Sequence, residues 1–427
     1  VTLSGREGGL GCRHAALLAR QEADARLPAA YRSAARQTLE RLAANPDRPR
    51  AMAAFDSLFG DDRRHAELAS GDRPVVGYLC NFVPDELVLA LGAVPVRLDL
   101  GFGAAAEAAA RVLPVDVCPE VKALVGAHLG ELPPWGNVDL LVVPTACDGK
   151  KKLVRLLGEQ REVWMLELPQ ARDTARARQQ WLEEIKALAA RLERLTGRRL
   201  RRRALRQAIE LVNRRSALAR RLAELRWEDP WRLSGPDAFL VMQASFFADP
   251  AWWIEHTERL LTEIGPERRA QAPRGASPPR ILLTGSPVLF PDFQLLHLIE
   301  EGGAMVADEM CSGTQRLYNP TVIDEPTVGG MLRAAAEKTL MPCTCPCFVG
   351  EDLRVDRVLD LARRSGARGV IHHTLRLCQL FDIDVPRLAE ALRARGLPLL
   401  SVYTEHGGEA AATLKNRVDA FLEMLQQ

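Results

Sequence analysis

No stretch of this 427-residue chain approaches the ~20 consecutive apolar residues that a membrane-spanning helix needs, because charge or proline interrupts every long apolar run. Charge of neither sign dominates. Lys and Arg number 57 against 55 Asp and Glu, for a formal net charge of +2, so the bulk electrostatics do not call for nucleic acid. Glycine-rich phosphate loops are missing: neither G-x-G-x-x-G nor G-x4-G-K-[ST] occurs, and any ATP has to be bound by another protein. Structural zinc favours two C-x2–4-C knuckles together, and the chain carries no two of them. The opening residues lack a basic start followed by an apolar core. No signal peptide is read, and a cytoplasmic, reducing location is expected.

What is present is nine cysteines. In a reducing compartment they are poor disulfide candidates and better candidates for metal, cluster or redox chemistry. At this length one ordinary core is too small, so two or three domains are expected. Residues 1–72 read as helices, with helical spacing over Ala29–Leu42 and a break at Asn45–Pro49. At Pro74 the period changes. Pro74–Cys80 reads as a strand and Pro84–Gly92 as a helix, with proline and acids in its first turn and glycine at its end. Strands at Val94–Leu98, Val138–Val143 and Glu162–Leu168 alternate with helices at Ala104–Leu113 and Gly149–Gly158.

Residues 171–278 differ. Two long amphipathic helices, Asp173–Leu195 and Arg198–Trp227, meet at Thr196-Gly197, and a proline-rich linker follows at Ala272–Pro279. Strands return at Arg280–Thr284, Ala304–Asp308, Gly369–His373 and Leu399–Val402, with a last helix over Ala411–Leu425. Strands alternating with helices predict the α/β class. The expected architecture is two doubly wound, Rossmann/flavodoxin-like parallel-sheet domains (73–170 and 279–427), with an N-terminal helical segment (1–72) and a helical insert (171–278).

Position is more informative than number for the cysteines. Cys80 ends the first strand, Cys118 sits in the loop Leu113–Glu120, and Cys147 lies just past the strand before it. In the second half Cys311 follows Ala304–Asp308, Cys378 follows Gly369–His373, and Cys343, Cys345 and Cys347 crowd into one run. Open parallel sheets form ligand sites beyond the carboxyl ends of their strands, so two halves presenting strand-end cysteines can share a cleft. Three thiolates per half suit a cubane iron–sulfur cluster with one iron left open, since a fully protein-ligated cubane takes four. Helix starts at Pro84 and Asp148, together with Lys150-Lys151-Lys152, bring positive charge toward Cys80 and Cys147. Cys12 reads as a packing residue. Of His372 and His373 one is expected to face inward, as a satisfied core histidine. The basic run Arg198–Arg206 lies on a helix striped by Leu205, Ile209, Val212, Ser216, Ala219 and Leu222, and reads as a solvated or partner-facing surface.

Several segments resemble the 2-hydroxyacyl-CoA dehydratase/benzoyl-CoA reductase superfamily. They are Cys80-Asn-Phe-Val-Pro-Asp-Glu-Leu with Gly92-Ala-Val-Pro-Val, Val117-Cys-Pro, Thr145-Ala-Cys-Asp-Gly-Lys-Lys-Lys and Glu309-Met-Cys-Ser-Gly-Thr. The Cys343/Cys345 segment, His373-Thr-Leu-Arg-Leu-Cys and the helix from Arg417 agree, so the likeness spans residues 70–427. It implies one 4Fe–4S cubane on Cys80, Cys147 and Cys378 if the chain is dehydratase-like. The double-cubane cluster branch, which the chain resembles more closely, uses further cysteines. By similarity these are Cys118, Cys311 and one of Cys343, Cys345 and Cys347, with Cys345 preferred. The implied cofactor is then a double cubane (8Fe–9S). The implied partners are an ATP-hydrolysing iron–sulfur activator protein and a second copy in a homodimer. The implied activity is low-potential reduction of a small-molecule substrate in anaerobic metabolism. The alternatives are a subunit of a heterodimeric dehydratase that works through a ketyl radical, and a non-catalytic electron-transfer protein. Lys150, Glu309 and His373 stand near proposed ligands as candidates for moving protons. Two departures from the family are the third cysteine of the Cys343–Cys347 run and Gln379 after Cys378, where an acid is common. The first 70 residues carry no signature of the family.

Overall fold

A computed structural model describes residues 26–60, 72–158, 160–265, 278–317, 325–350, 353–407 and 411–427. Cys12 and most of the linker expected at Ala272–Pro279 lie outside the described residues. Two helices, α1 (Leu27–Ala43) and α2 (Met52–Gly60), precede a parallel sheet of β1 (Val75–Tyr78), β2 (Val94–Arg97), β3 (Leu140–Pro144) and β4 (Val163–Leu166). Its helices are α3 (Asp85–Ala90), α4 (Gly103–Ala108), α5 (Pro119–Leu129) and α6 (Asp148–Leu157). A helical layer follows: α7 (Ala175–Thr196), α8 (Arg202–Glu228), α9 (Gly235–Ala244) and α10 (Pro250–Glu263). The second parallel sheet holds β5 (Arg280–Gly285), β6 (Ala304–Glu309), β7 (Gly369–Leu375) and β8 (Leu399–Thr404). Around it lie α11 (Gln294–Gly302), α12 (Val328–Leu340), α13 (Leu353–Ser365), α14 (Gln379–Arg393) and α15 (Ala411–Gln426).

The strands explain the class. Every residue of β1 and β3 is buried, which is how parallel strands covered on both faces read. The strand orders are β2-β1-β3-β4 and β6-β5-β7-β8, two flavodoxin-like sheets with one pattern. In each the order reverses beside the first strand, between β1 and β3 and between β5 and β7, and ligand crevices form at such points. The α/β fold with two parallel sheets and interposed helices is the one read from the sequence.

The long helices are striped as expected, and Gly197 ends α7 in the left-handed conformation (φ 67°). Helix α8 joins two cores: Leu205 and Ile209 pack with β1, β3 and α7, whereas Ala219, Leu222 and Leu225 pack with α9, α10, β5 and α11. Among the described residues no helix is long and apolar enough to cross a membrane.

Three expectations need correction. The helix expected over Ala104–Leu113 ends at Ala108 and continues only as a 3-10 turn, Ala109–Arg111; Pro114 disfavours helical backbone at the residue before it. Cys118 directly precedes α5, a helix not anticipated, with Pro119 at its first position. Both His372 and His373 are buried, because β7 is an inner strand covered on both faces.

Candidate functional site

A cavity of ≈ 340 Å³ lies beyond the C-terminal ends of the strands, and segments of both halves line it. Cys80 follows β1, Cys118 precedes α5 and Cys147 precedes α6. Cys311 follows β6, Cys343 and Cys345 follow α12, and Cys378 precedes α14. All six cysteines singled out in the sequence line this one chamber, and Cys343 is a seventh; Cys347 is not part of the lining. Among the described residues no three His, Cys, Asp or Glu side chains gather tightly enough to hold a single metal ion. The thiols are spread around a space. Asp116, Asp148, Leu377 and Gln379 are exposed and mark its mouth, while Asn81, Lys150 and Gln315 are buried in its wall.

Local structure sets each thiol. The Cys147 side chain caps α6, its Sγ accepting the Lys150 N–H at 3.4 Å. Cys80 holds a left-handed backbone (φ 62°), and its N–H donates to Asp99 Oδ2 at 3.0 Å. Of the three lysines after Cys147, Lys150 turns inward: its Nζ lies 3.2 Å from Cys80 Sγ, 2.9 Å from Asp99 Oδ1 and 3.9 Å from Glu120 Oε1. Lys151 pairs with Asp148 on the surface. Arg97 reaches from β2 across to the second half. It donates to Asn81 Oδ1 at 2.9 Å and to the Cys311 carbonyl, and its Nη2 is 3.5 Å from Cys311 Sγ.

Burial dominates the thiol electrostatics. It pushes Cys311 up to about 11 and raises Cys80, Cys147 and Cys343, with Lys150 opposing it at Cys80 and Cys147 and Arg97 opposing it at Cys311. Cys118 and Cys378 hydrogen-bond each other, which brings Cys378 down to about 6 and raises Cys118. Burial opposes charge on Lys150, yet Asp99 and Cys80 hold it well above the usual lysine value.

A second layer backs the chamber. Buried Glu309 accepts from Thr284 Oγ1 at 2.7 Å and from Gln315 Nε2 at 3.0 Å, and pairs with Arg354 at 3.3 Å. Gln315 in turn accepts from Asn81 Nδ2 at 2.9 Å, tying the two halves together. His373 lies behind the wall, with its ring nitrogens on the Ser286 carbonyl at 2.8 Å and Thr404 Oγ1 at 2.6 Å. Of the three proton-transfer candidates, only Lys150 lines the chamber; Glu309 and His373 do not. Glu120 does line it, its pKa raised by burial, and its Oε2 lies 3.5 Å from His406, which its pairing with Asp292 and Glu120 lifts to about 9 against its burial.

Arg97, Asp99, Glu120 and Gln315 escaped the sequence reading. A signal existed for the first two: Val94-Pro-Val-Arg-Leu-Asp-Leu places two charges at the end of a strand otherwise made of core residues. A charge buried there needs a partner.

The family model for the 2-hydroxyglutaryl-CoA dehydratase D-component matches residues 80–425. A protein of Escherichia coli (strain K12), provisionally named dehydratase subunit YjiM, is 29% identical over 356 residues, 82% of this chain and 91% of the relative. One of the subunits of benzoyl-CoA reductase from Thauera aromatica is 24% identical over 84% of this chain and 93% of its own. The beta subunit of (R)-2-hydroxyglutaryl-CoA dehydratase from Acidaminococcus fermentans is 22% identical over 84% of this chain and 94% of its own. The matched region runs from the first of the chamber's cysteines to the last helix, and the chain belongs to the 2-hydroxyglutaryl-CoA dehydratase D-component family, within the dehydratase and benzoyl-CoA reductase superfamily.

Proposed function

We propose that the chain is an iron–sulfur reductase of the double-cubane type. Cys80, Cys118, Cys147, Cys311, Cys345 and Cys378 hold the cluster, an ATP-hydrolysing activator protein supplies electrons, and a small molecule is reduced at the chamber. One observation supports this most: seven thiols from the connecting segments of both halves surround a single space, more than the four that a cubane takes. Soft thiolate ligands suit such clusters. Bound there, an iron–sulfur cluster would supply electrons at low potential. The chain's own residues ligate, offset charge and exclude water. Lys150 and Arg97 place cations at Cys80 and Cys311, and Phe82, Leu375 and Phe381 give the wall its apolar part. Cys345 is preferred to Cys347 because only the former lines the chamber. As in the resembling branch, we propose a homodimer.

The second reading is one subunit of a 2-hydroxyacyl-CoA dehydratase with a single 4Fe–4S cluster, favoured by the likeness to the dehydratase beta subunits. It leaves Cys118, Cys311 and Cys345 without a task.

Iron and acid-labile sulfide per chain, measured on anaerobically purified protein, separate the two. The double cubane predicts roughly eight irons, falling sharply in Cys118→Ala. Roughly four irons, unmoved by that substitution, would replace it with the single cubane. No iron after anaerobic reconstitution would overturn both.

A further inference from the structure

We propose that Asp99 is a positioning residue of the chamber, a single carboxylate that fixes the backbone of Cys80 and aims two cations, one at a thiol from each half. The inference rests on the cluster reading above. Asp99 lies two residues past β2, and its side chain is 1% exposed. It is not part of the chamber's lining, so whatever it does there it does through other groups.

Its two oxygens serve three donors. Oδ1 accepts from Lys150 Nζ at 2.9 Å, and Oδ2 accepts from the Cys80 N–H at 3.0 Å and from Arg97 Nε. Each cation then extends to one sulfur: Lys150 Nζ to Cys80 Sγ at 3.2 Å, Arg97 Nη2 to Cys311 Sγ at 3.5 Å. Cys80 belongs to the first sheet's side and Cys311 to the second's. One carboxylate therefore coordinates the surroundings of thiols that no stretch of local chain connects. It also holds the N–H of a non-glycine residue in the left-handed region, a conformation that persists only where neighbours over-determine it.

A plain stabilising ion pair explains this arrangement less well. Buried ion pairs return little net stability, because desolvation offsets their attraction. Here both cations continue past the carboxylate to a thiol. Fixed donors at a thiolate favour its ligating form and draw negative charge away from a bound metal.

The test compares full-length, anaerobically purified wild type with Asp99→Asn, with Lys150→Met/Arg97→Leu, and with the triple variant. Iron content, the rate of iron release to a chelator, the reduction midpoint and the thermal midpoint are read. Asp99→Asn keeps every proposed ligand, so iron is expected to load but to be released roughly 10- to 100-fold faster, the range for outer partners of metal ligands. A shifted reduction midpoint should accompany it. Because asparagine keeps an oxygen that can accept the Cys80 N–H, and the rest of what Asp99 does passes through the two cations, adding Asp99→Asn to Lys150→Met/Arg97→Leu should change release far less than in the wild-type background. A full, additive effect there would overturn the inference, even if Asp99→Asn alone lowers the thermal midpoint. So would wild-type release and potential in Asp99→Asn. Wild type that binds no iron would instead bring down the cluster reading, and this inference with it.

Discussion

Leu377 is one of three non-glycine residues with left-handed backbone among the described residues, and with Cys80 one of two that border the chamber. Its φ of 64° falls where a β-carbon crowds the following carbonyl, at a cost of about 1–2 kcal/mol. The turn it makes after β7 has the Cys378 N–H donating to the Leu375 carbonyl at 2.9 Å, and this sets Cys378 ahead of α14. The side chain itself is 48% exposed and contributes little packing. Leu377→Gly should therefore keep the free energy of urea unfolding within about 1 kcal/mol of wild type, relief of strain offsetting the added freedom of the unfolded chain. Leu377→Val, β-branched, should cost about 1–2 kcal/mol. Valine as stable as glycine at this position would show that the turn stores no strain.

Among the elements, α4 and α5 approach most closely at Gly126, where a β-carbon would lie 1.7 Å from the Ala105 carbonyl oxygen. Only backbone movement can relieve that contact, so Gly126→Ala should cost about 3 kcal/mol, at the upper end for overpacking. A depressed thermal midpoint would report it; an unchanged one would mean that the two helices slide freely. Helix α5 also explains why it was hard to read in the sequence. All its residues but Lys122 and Leu129 are buried, so it has no polar face and no helical alternation to detect. The surface-lying α7 and α8, with one apolar stripe each, were legible to within a few residues. The buried strands were legible for a different reason, as short apolar runs bounded by turns. The cysteines stood out because chemistry singles them out, and strand ends told where they would sit. Their supporting residues stood out less: Arg97 and Gln315 make their contacts across halves far apart in sequence, and Asp99 makes its own with Cys80 and Lys150 on other elements of the first half.

At the scale of the molecule, Asp85 of α3 ties the parts together. It pairs with Arg215 of α8 at 2.5 Å and with Arg316 from the segment after β6, and accepts from Tyr78 Oη at 3.1 Å. Burial alone would raise its pKa, but Arg316 and Arg215 outweigh burial and hold it down to about 2, below the ordinary 3.8. A depressed carboxylate stabilises the fold fully above its unfolded value, and that stabilisation is lost as pH falls through the folded value. Wild type should therefore lose stability between about pH 4 and pH 2. Asp85→Asn should flatten that limb and cost about 3–5 kcal/mol at neutral pH, because it strands two buried guanidiniums. Denaturation curves across pH check both parts; neutral-pH stability equal to wild type would deny the clamp.

The mouth bordered by Asp116, Asp148, Leu377 and Gln379 has a bearing on how the protein is made. On the proposed reading, the double cubane is complete only when thiols from both halves face one another, so maturation finishes after the two halves have come together. The building blocks then enter by the passage that the substrate later uses. Assembly, repair and turnover share one doorway, and a chain caught half-matured is open to the wrong visitor.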